Sequence, residues 1–310
     1  MGPSSPPPLA VIVGPTASGK TDLALALAAQ IPIEILVADS RQVYRGMDIG
    51  TATPDALARA AVAHHLLDLV APDEPFSVAD WIAAARPQIA EIARAGRLPL
   101  AVGGTGLYVS ALIDGYDLAS APPSADLRRE LERELAEGGV TALAARLSRA
   151  DPNAAASVDL RNSRRVVRAL ERQAKPAAPN RPWPGRLAMI GIRRPPGVLA
   201  QRINARAERL FSDGLLDEVA ALLAAGYSPD LAPMTGHGYR EAAGVLAGER
   251  TLDEAIETTA RRTRQYARRQ RIWFQRDERI NWIDAGELPG DDPGIVDQAR
   301  AVLRLAGLSD

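Results

Sequence analysis

Residues 9–29 limit the fold more than any other stretch of the chain. A short apolar run, Leu9–Val13, leads into Gly14-Pro15-Thr16-Ala17-Ser18-Gly19-Lys20-Thr21 and then into the helical segment Asp22–Ala29. Strand, glycine-rich loop and helix follow in the order that lets backbone N–H groups converge on phosphate oxygens at a helix N-terminus, where the helix dipole favours an anion. Lys20 adds a point charge, and Thr21 offers a hydroxyl to Mg²⁺. The segment therefore predicts a diphosphate or triphosphate site built from Gly14 through Thr21. Kinases, ATPases, GTPases and enzymes with a pyrophosphate leaving group share such a loop, so it fixes an anion and leaves the reaction open.

The pattern from Leu9 to about Ile113 predicts a parallel sheet covered by helices. Strands are expected at Leu9–Val13, Glu34–Ala38, Leu66–Val70 and Leu98–Val102, with helices over about 19–30, 77–95 and 106–113. Ligands gather at the carboxyl ends of such strands. Gly14, Asp39 and Gly103-Gly104-Thr105 all follow strand ends and are expected in one crevice.

Residues 120 to about 175 read as charged helices, Ser124–Glu137, Thr141–Arg149 and Ser163–Gln173, without a strand. The proline-rich stretch 175–186 reads as a loop. Leu187–Ile192 reads as a further strand, and helices over about 197–211, 215–225, 238–247 and 251–275 precede a strand at Ile280–Ile283 and a terminal helix. The predicted organisation is a disordered tail over 1–8, an α/β core begun by 9–118, a helical insertion over 119–186, and completion of the core by 187–310.

With 310 residues, 46% of them hydrophobic, the chain can bury a large core. It has no cysteine, which excludes a disulfide framework, a thiolate metal site and cysteine catalysis, and fits a reducing cytoplasm. No apolar run approaches the roughly 20 residues that span a bilayer, so a membrane partner is not expected.

The net charge is only −1, yet the arginines are unevenly placed. On a helical projection Arg161, Arg164, Arg165, Arg168 and Arg172 fall on one side, with Val166, Val167 and Leu170 opposite. Residues 258–276 hold seven arginines and no acid, with Ile256, Ala260, Ala267 and Phe274 on the other half. A solvated helix usually mixes signs, so one-sign faces point to a polyanion such as structured RNA. Pairing with acidic helices such as Asp126–Glu137 is the alternative. Asp39 could ligate Mg²⁺, act as a general base or cap a turn. Arg202, Arg206 and Arg209 share a helix from which one could clamp a departing anion. His64-His65 lacks ligand-type neighbours at metal spacing and reads as structural. Tyr266, Trp273 and Phe274 read as core.

Six motifs, taken together, resemble the tRNA dimethylallyltransferases: Gly14–Thr21, Ala38-Asp-Ser-Arg-Gln-Val-Tyr-Arg-Gly-Met-Asp-Ile-Gly-Thr51, His64-His-Leu-Leu-Asp68, Gly103-Gly-Thr-Gly-Leu-Tyr108, Asn162-Ser-Arg-Arg-Val-Val-Arg-Ala-Leu-Glu171, and Thr263–Gln270 with Trp273-Phe274. The likeness runs from about residue 9 to 284. It implies transfer of a dimethylallyl group from its diphosphate to N6 of the adenosine 3′-adjacent to the anticodon, by a cytoplasmic, monomeric enzyme using Mg²⁺ held at Thr21. It further implies Asp39 as base, Thr16, Lys20 and Arg202 at the diphosphate, and tRNA contacts from Asp39, Ser40, Arg41, Gln42, Thr105, Arg128, Asn162, Ser163, Arg164, Arg165 and Val166. The basic face adds Arg264 and Arg268 to that set. Thr53 replaces the usual lysine, the 175–186 loop is short, and His237 replaces an apolar residue. An adenylate isopentenyltransferase, a P-loop small-molecule kinase and an RNA-binding nucleotide switch are the competing readings.

Overall fold

The computed structural model describes residues 6–116, 124–174 and 179–309. The segments 1–5 of the expected tail, 175–178 of the expected loop, and the expected boundary at 118/119 lie outside them. The chain divides into two compact units, one formed by residues up to Ile113 together with Trp183 onward, the other by Asp114–Pro182.

The larger unit is built on six parallel strands: β1 (Leu9–Val13), β2 (Ile33–Val37), β3 (His64–His65), β4 (Leu98–Gly103), β5 (Leu187–Arg193) and β6 (Ile280–Asp284). Their order is β3-β2-β4-β1-β5-β6. β1 lies centrally, pairing with β4 (Val11 beside Ala101) and β5 (Val11 beside Met189), and all five of its residues are buried. A strand buried on both faces must be a continuous apolar run, which is what its sequence supplies.

The edge of the sheet differs from expectation. Leu66–Val70 is not a strand, because Leu66 and Asp68 take φ values of 68° and 54° and turn the chain out of line. The two residues before them, His64 and His65, pair with Ile35 and Leu36 instead. Only Val70 keeps a single bridge, to Tyr44.

Helices α1 (Lys20–Ala28), α2 (Ala56–Ala61), α3 (Val78–Arg94) and α4 (Gly106–Ile113) fall between the first four strands or after them. α2 has no counterpart among the helices expected from the sequence; Asp55 caps it by accepting from Ala58 N–H at 2.8 Å. α3 starts with a capping box between Ser77 and Asp80 and buries Trp81, Ile82, Ala85, Ile89 and Ile92 at helical spacing. The core between sheet and helices gathers Ile12, Leu23, Leu27, Ile35, Leu100, Ile190, Ile192 and Leu303. Pro7, inside the expected tail, accepts from Trp183 Nε1 at 3.1 Å.

The smaller unit holds α5 (Ala125–Ala150), α6 (Pro152–Ser157) and α7 (Ser163–Ala174). The two predicted helices 124–137 and 141–149 form one kinked element, bent at Gly139 (φ 65°, ψ −176°). Leu131, Leu143, Leu147, Ala155, Val166, Ala169 and Leu170 make a core of its own.

After β5 the larger unit continues with α8 (Pro196–Ser212), α9 (Leu215–Ala224), α10 (Tyr239–Leu246) and α11 (Leu252–Phe274), and after β6 closes with α12 (Pro293–Leu305). Among the described residues no helix is long and apolar enough to cross a membrane.

Candidate active site

The phosphate loop follows β1 and delivers the chain into α1. Gly14 (φ 147°) and Gly19 (φ 97°) take backbone angles that a side chain opposes, and Gly19 at the N-cap leaves the first N–H groups of α1 without a side-chain cap. The loop is held from several elements. Gln270 on α11 accepts from Thr16 N–H at 2.8 Å and donates from Nε2 to the Gly104 carbonyl at 2.9 Å, tying it to the turn after β4. A Cβ on residue 104 would lie 2.1 Å from Gln270 Nε2, so any side chain there would push this amide out of its hydrogen bonds. Arg194, just past β5, donates from Nε to the Ser18 carbonyl at 2.7 Å and from Nη1 to Gly286 and Leu288. Arg202 on α8 donates to the Ala17 carbonyl at 3.0 Å.

Lys20 curls over the loop and donates to the Pro15 carbonyl at 2.8 Å. Burial lowers its pKa to about 8, with the Arg206 charge adding to the effect and Asp39 and Asp22 opposing it. Burial also lowers Arg206, against the attraction of Asp39. Beside the exposed Thr21 hydroxyl, Ala17, Gly19, Lys20, Thr21, Arg202, Arg206 and Arg209 line a cavity of about 380 Å³ in which Asp22 is the only acid. Its cationic wall suits a polyphosphate.

A smaller space of about 100 Å³ runs from Thr16, Lys20 and Thr21 to Asp39, Gln42, Gly103, Gly104 and Gln270, so the three strand ends expected in one crevice do meet. Asp39 and Arg206 also line a third cavity, of about 390 Å³, with Ser40, Arg41, His237, Tyr239, Tyr266 and Arg269. Asp39 Oδ1 accepts from Arg41 N–H at 2.9 Å, a local turn that orients the carboxylate. Thr105 Oγ1 accepts from Ser40 N–H at 3.0 Å, and Arg41 donates to the Ala232 carbonyl at 2.6 Å. Gln42 donates to the Thr51 carbonyl at 3.2 Å.

Several readings change. Tyr266 is no core residue: it lines both cavities that contain Asp39, stands edge-on to His237 at 5.5 Å, and carries Arg269 over its ring at 5.7 Å. Burial lowers the His237 pKa to about 4, so this histidine is a neutral wall residue at ordinary pH. Trp273 is 43% exposed and donates to Ser110, whereas Phe274 is buried as expected.

The arginines of α11 do not form one free face. Arg262 pairs with Glu241, a buried carboxylate, and Arg264 donates to Asn204 Oδ1 at 2.5 Å. Arg268 is exposed, and with Arg264 it lines a separate cleft beside α8 rather than the Asp39 cavity. The face on α7 is likewise partly neutralised, because Arg168 and Arg128 both reach the buried Glu171, at 3.2 and 3.0 Å, and Arg161 pairs with Asp159. Arg164, Arg165 and Arg172 are exposed, with no ion pair among the described residues. Asn162 caps α7 by accepting from Arg165 N–H at 3.2 Å, and Ser163 is its first residue. Val166 is fully buried, so its side chain offers nothing to a ligand.

Sequence reading placed Gln270 at the end of the Thr263–Gln270 motif without giving it a role, and it missed Arg194. Both act on backbone atoms more than 160 positions away, which no local pattern displays.

A parallel sheet with a phosphate loop, beside which a cationic pocket and a chamber with one carboxylate and an aromatic wall share Arg206, defines a P-loop fold. Comparison with known proteins narrows this class. The family model described as IPP transferase matches residues 42–277, and one described as isopentenyl transferase matches residues 7–60. A relative named tRNA dimethylallyltransferase from Roseiflexus sp. (strain RS-1) is 48% identical over 303 residues, covering 96% of this chain and 98% of that protein. The solved tRNA isopentenylpyrophosphate transferase of Bacillus halodurans is 41% identical with a TM-score of 0.72, covering 97% of this chain and 98% of its own. A eukaryotic dimethylallyltransferase described as acting on tRNA, 24% identical, shares the fold with a TM-score of 0.83 over 98% of this chain and 80% of its own. The chain belongs to the tRNA dimethylallyltransferase family.

Proposed function

We propose that this chain transfers the dimethylallyl group of dimethylallyl diphosphate to N6 of the adenosine 3′-adjacent to the anticodon of tRNA, releasing diphosphate. The observation that carries this reading is that Arg206 lines the anion pocket, the narrow space and the wider chamber alike, with Asp39 lining the last two. A donor diphosphate lies against the phosphate-loop N–H groups, Lys20, Arg202 and Arg206, while a base drawn from an RNA loop enters beside Tyr266. Extruding that base costs a few kcal/mol of stacking, least in a loop.

An adenine amine is a weak nucleophile because its lone pair is delocalised. As N6 bonds to the allylic carbon, the carbon–oxygen bond breaks, its electron pair leaves with diphosphate, and the N6 proton passes to the Asp39 carboxylate. Lys20, Arg202, Arg206 and the loop N–H groups stabilise the charge that develops on the leaving oxygen.

The donor set fits Mg²⁺. Among the described residues no group of three or more His, Cys, Asp or Glu could hold a metal unaided, and a single hydroxyl at Thr21 beside a phosphate pocket is the sparse protein contribution that this ion takes when substrate oxygens supply the rest. When bound, the ion adds positive charge against the departing diphosphate.

The helical unit, presenting Arg164 and Arg165 with Asn162 and Ser163 at the start of α7, serves tRNA binding, as do Ser40, Arg41, Gln42 and Thr105 around the base and Arg264 and Arg268 on α11. Arg128, bonded to Glu171, supports that surface. The reaction takes place in the cytoplasm and is carried out by a single copy of the chain.

Incubation with Mg²⁺, radiolabelled dimethylallyl diphosphate and either unmodified tRNA or AMP tests this reading. Label on tRNA adenosine is expected. Label on AMP alone would place the chain with enzymes of free nucleotides, and label on neither would overturn prenyl transfer.

A further inference from the structure

Behind the chamber wall, the Glu218 carboxylate accepts four hydrogen bonds. Oε2 takes Asp48 N–H at 2.9 Å and Ile49 N–H at 2.7 Å; Oε1 takes Gly50 N–H at 3.2 Å and Tyr239 O–H at 2.6 Å. A carboxylate has about four acceptor positions, so this one is saturated. Three successive backbone amides converging on one anion form the kind of nest that elsewhere cradles a ligand, here filled by the chain's own side chain. Tyr239 is buried, and burial together with the neighbouring Glu218 raises its pKa, so it stays a donor. Gly50 lies against the Tyr239 ring so closely that a Cβ would sit 2.3 Å from Cε2.

The other side of the same turn faces the reaction. Thr51, whose hydroxyl donates to the Met47 carbonyl at 2.6 Å, offers its own carbonyl to Arg206 Nη2 at 3.2 Å and to Gln42 Nε2 at 3.2 Å. Among the described residues that carbonyl is the hydrogen-bond partner of the Arg206 guanidinium. Arg206 carries charge beside Lys20 and Asp39 and lines the narrow space with them.

We propose that Glu218 is a positioning residue for prenyl transfer: by fastening the Asp48–Thr51 turn, it fixes Arg206 over the diphosphate pocket. The proposal rests on the diphosphate reading above. Glu218 reaches Arg206 only through backbone, so its contribution is geometric, and it disappears when Arg206 is absent.

E218Q keeps the volume but replaces one acceptor oxygen by an NH₂ group facing N–H donors. It is expected to raise KM for dimethylallyl diphosphate and weaken inorganic pyrophosphate binding by calorimetry, each by roughly tenfold, with tRNA affinity within about twofold of wild type. In an R206A background the same change should add less than about threefold, because coupled residues do not contribute independently. Full multiplicative losses in the double variant, or unchanged pyrophosphate affinity in E218Q, would overturn the proposal. If E218Q lowers the melting temperature too far for assay, Y239F removes one of the four bonds and should shift pyrophosphate affinity in the same direction; a wild-type value there also counts against it. Because pyrophosphate binding is read without turnover, a wild-type protein that binds pyrophosphate yet fails to prenylate tRNA refutes the functional reading and leaves this test intact.

Discussion

Lys20 and Asp39 face each other's charge across the narrow space between the two chambers, and each sets an expectation. Because burial holds the Lys20 pKa at about 8, it is cationic below that value and neutral above it. Its pull on diphosphate is therefore present at pH 7 and lost as pH rises through about 8. Calorimetric pyrophosphate affinity should fall across that range relative to a K20M variant, which has nothing there to titrate; parallel pH profiles would show that Lys20 is not the group. Asp39→Ala should slow single-turnover transfer by about two to four decades, the usual scale for a lost general base, with tRNA affinity nearly unchanged. An unaltered single-turnover rate would remove Asp39 from the chemistry.

At the scale of elements, α11 shows how far a helical projection reaches. The sequence exposed a one-sign run, and the structure divides it: Arg262 neutralises Glu241, Arg269 covers Tyr266, and Arg264 and Arg268 line the cleft beside α8. R262A strands the buried Glu241 carboxylate and should cost about 3–5 kcal/mol in urea unfolding. R264E combined with R268E should instead leave stability nearly intact and flatten the salt dependence of tRNA binding; an unchanged slope would mean that this cleft does not meet tRNA. In α5, Gly139 takes a conformation that is almost confined to glycine. No atom lies within 4 Å of the place a Cβ would occupy, so G139A should cost about 1–3 kcal/mol from backbone strain alone, read by urea unfolding. The phosphate loop, central strands and long helices were legible because each is written in consecutive residues. The two-residue β3 was not, since it owes its place to pairing with β2 and to the left-handed residues after it. Glu218 and Arg194 were hidden, and Gln270 had no role assigned, because most of their partners are backbone atoms of distant segments.

For the whole molecule, the useful fact is where the helical unit is joined. Trp183 N–H donates to the Ile113 carbonyl at 2.7 Å, so the chain leaves and re-enters the larger unit at adjacent residues. Replacing residues 114–182 by a short Gly/Ser linker should leave a folded protein that binds pyrophosphate and no longer accepts tRNA, checked by thermal unfolding and filter binding. Failure of the shortened chain to fold would show that the larger unit needs the helical one.

The central place of β1 has a temporal consequence as well. β1 is made before the other strands, yet one of its two neighbours, β5, emerges only after the whole helical unit, and β6 later still. On the ribosome, an apolar strand waits with an open hydrogen-bonding edge while a self-contained helical body can already close behind it. The nascent sheet therefore carries an unpaired edge until β5 has been made, and the crevice beside the phosphate loop is complete only after that.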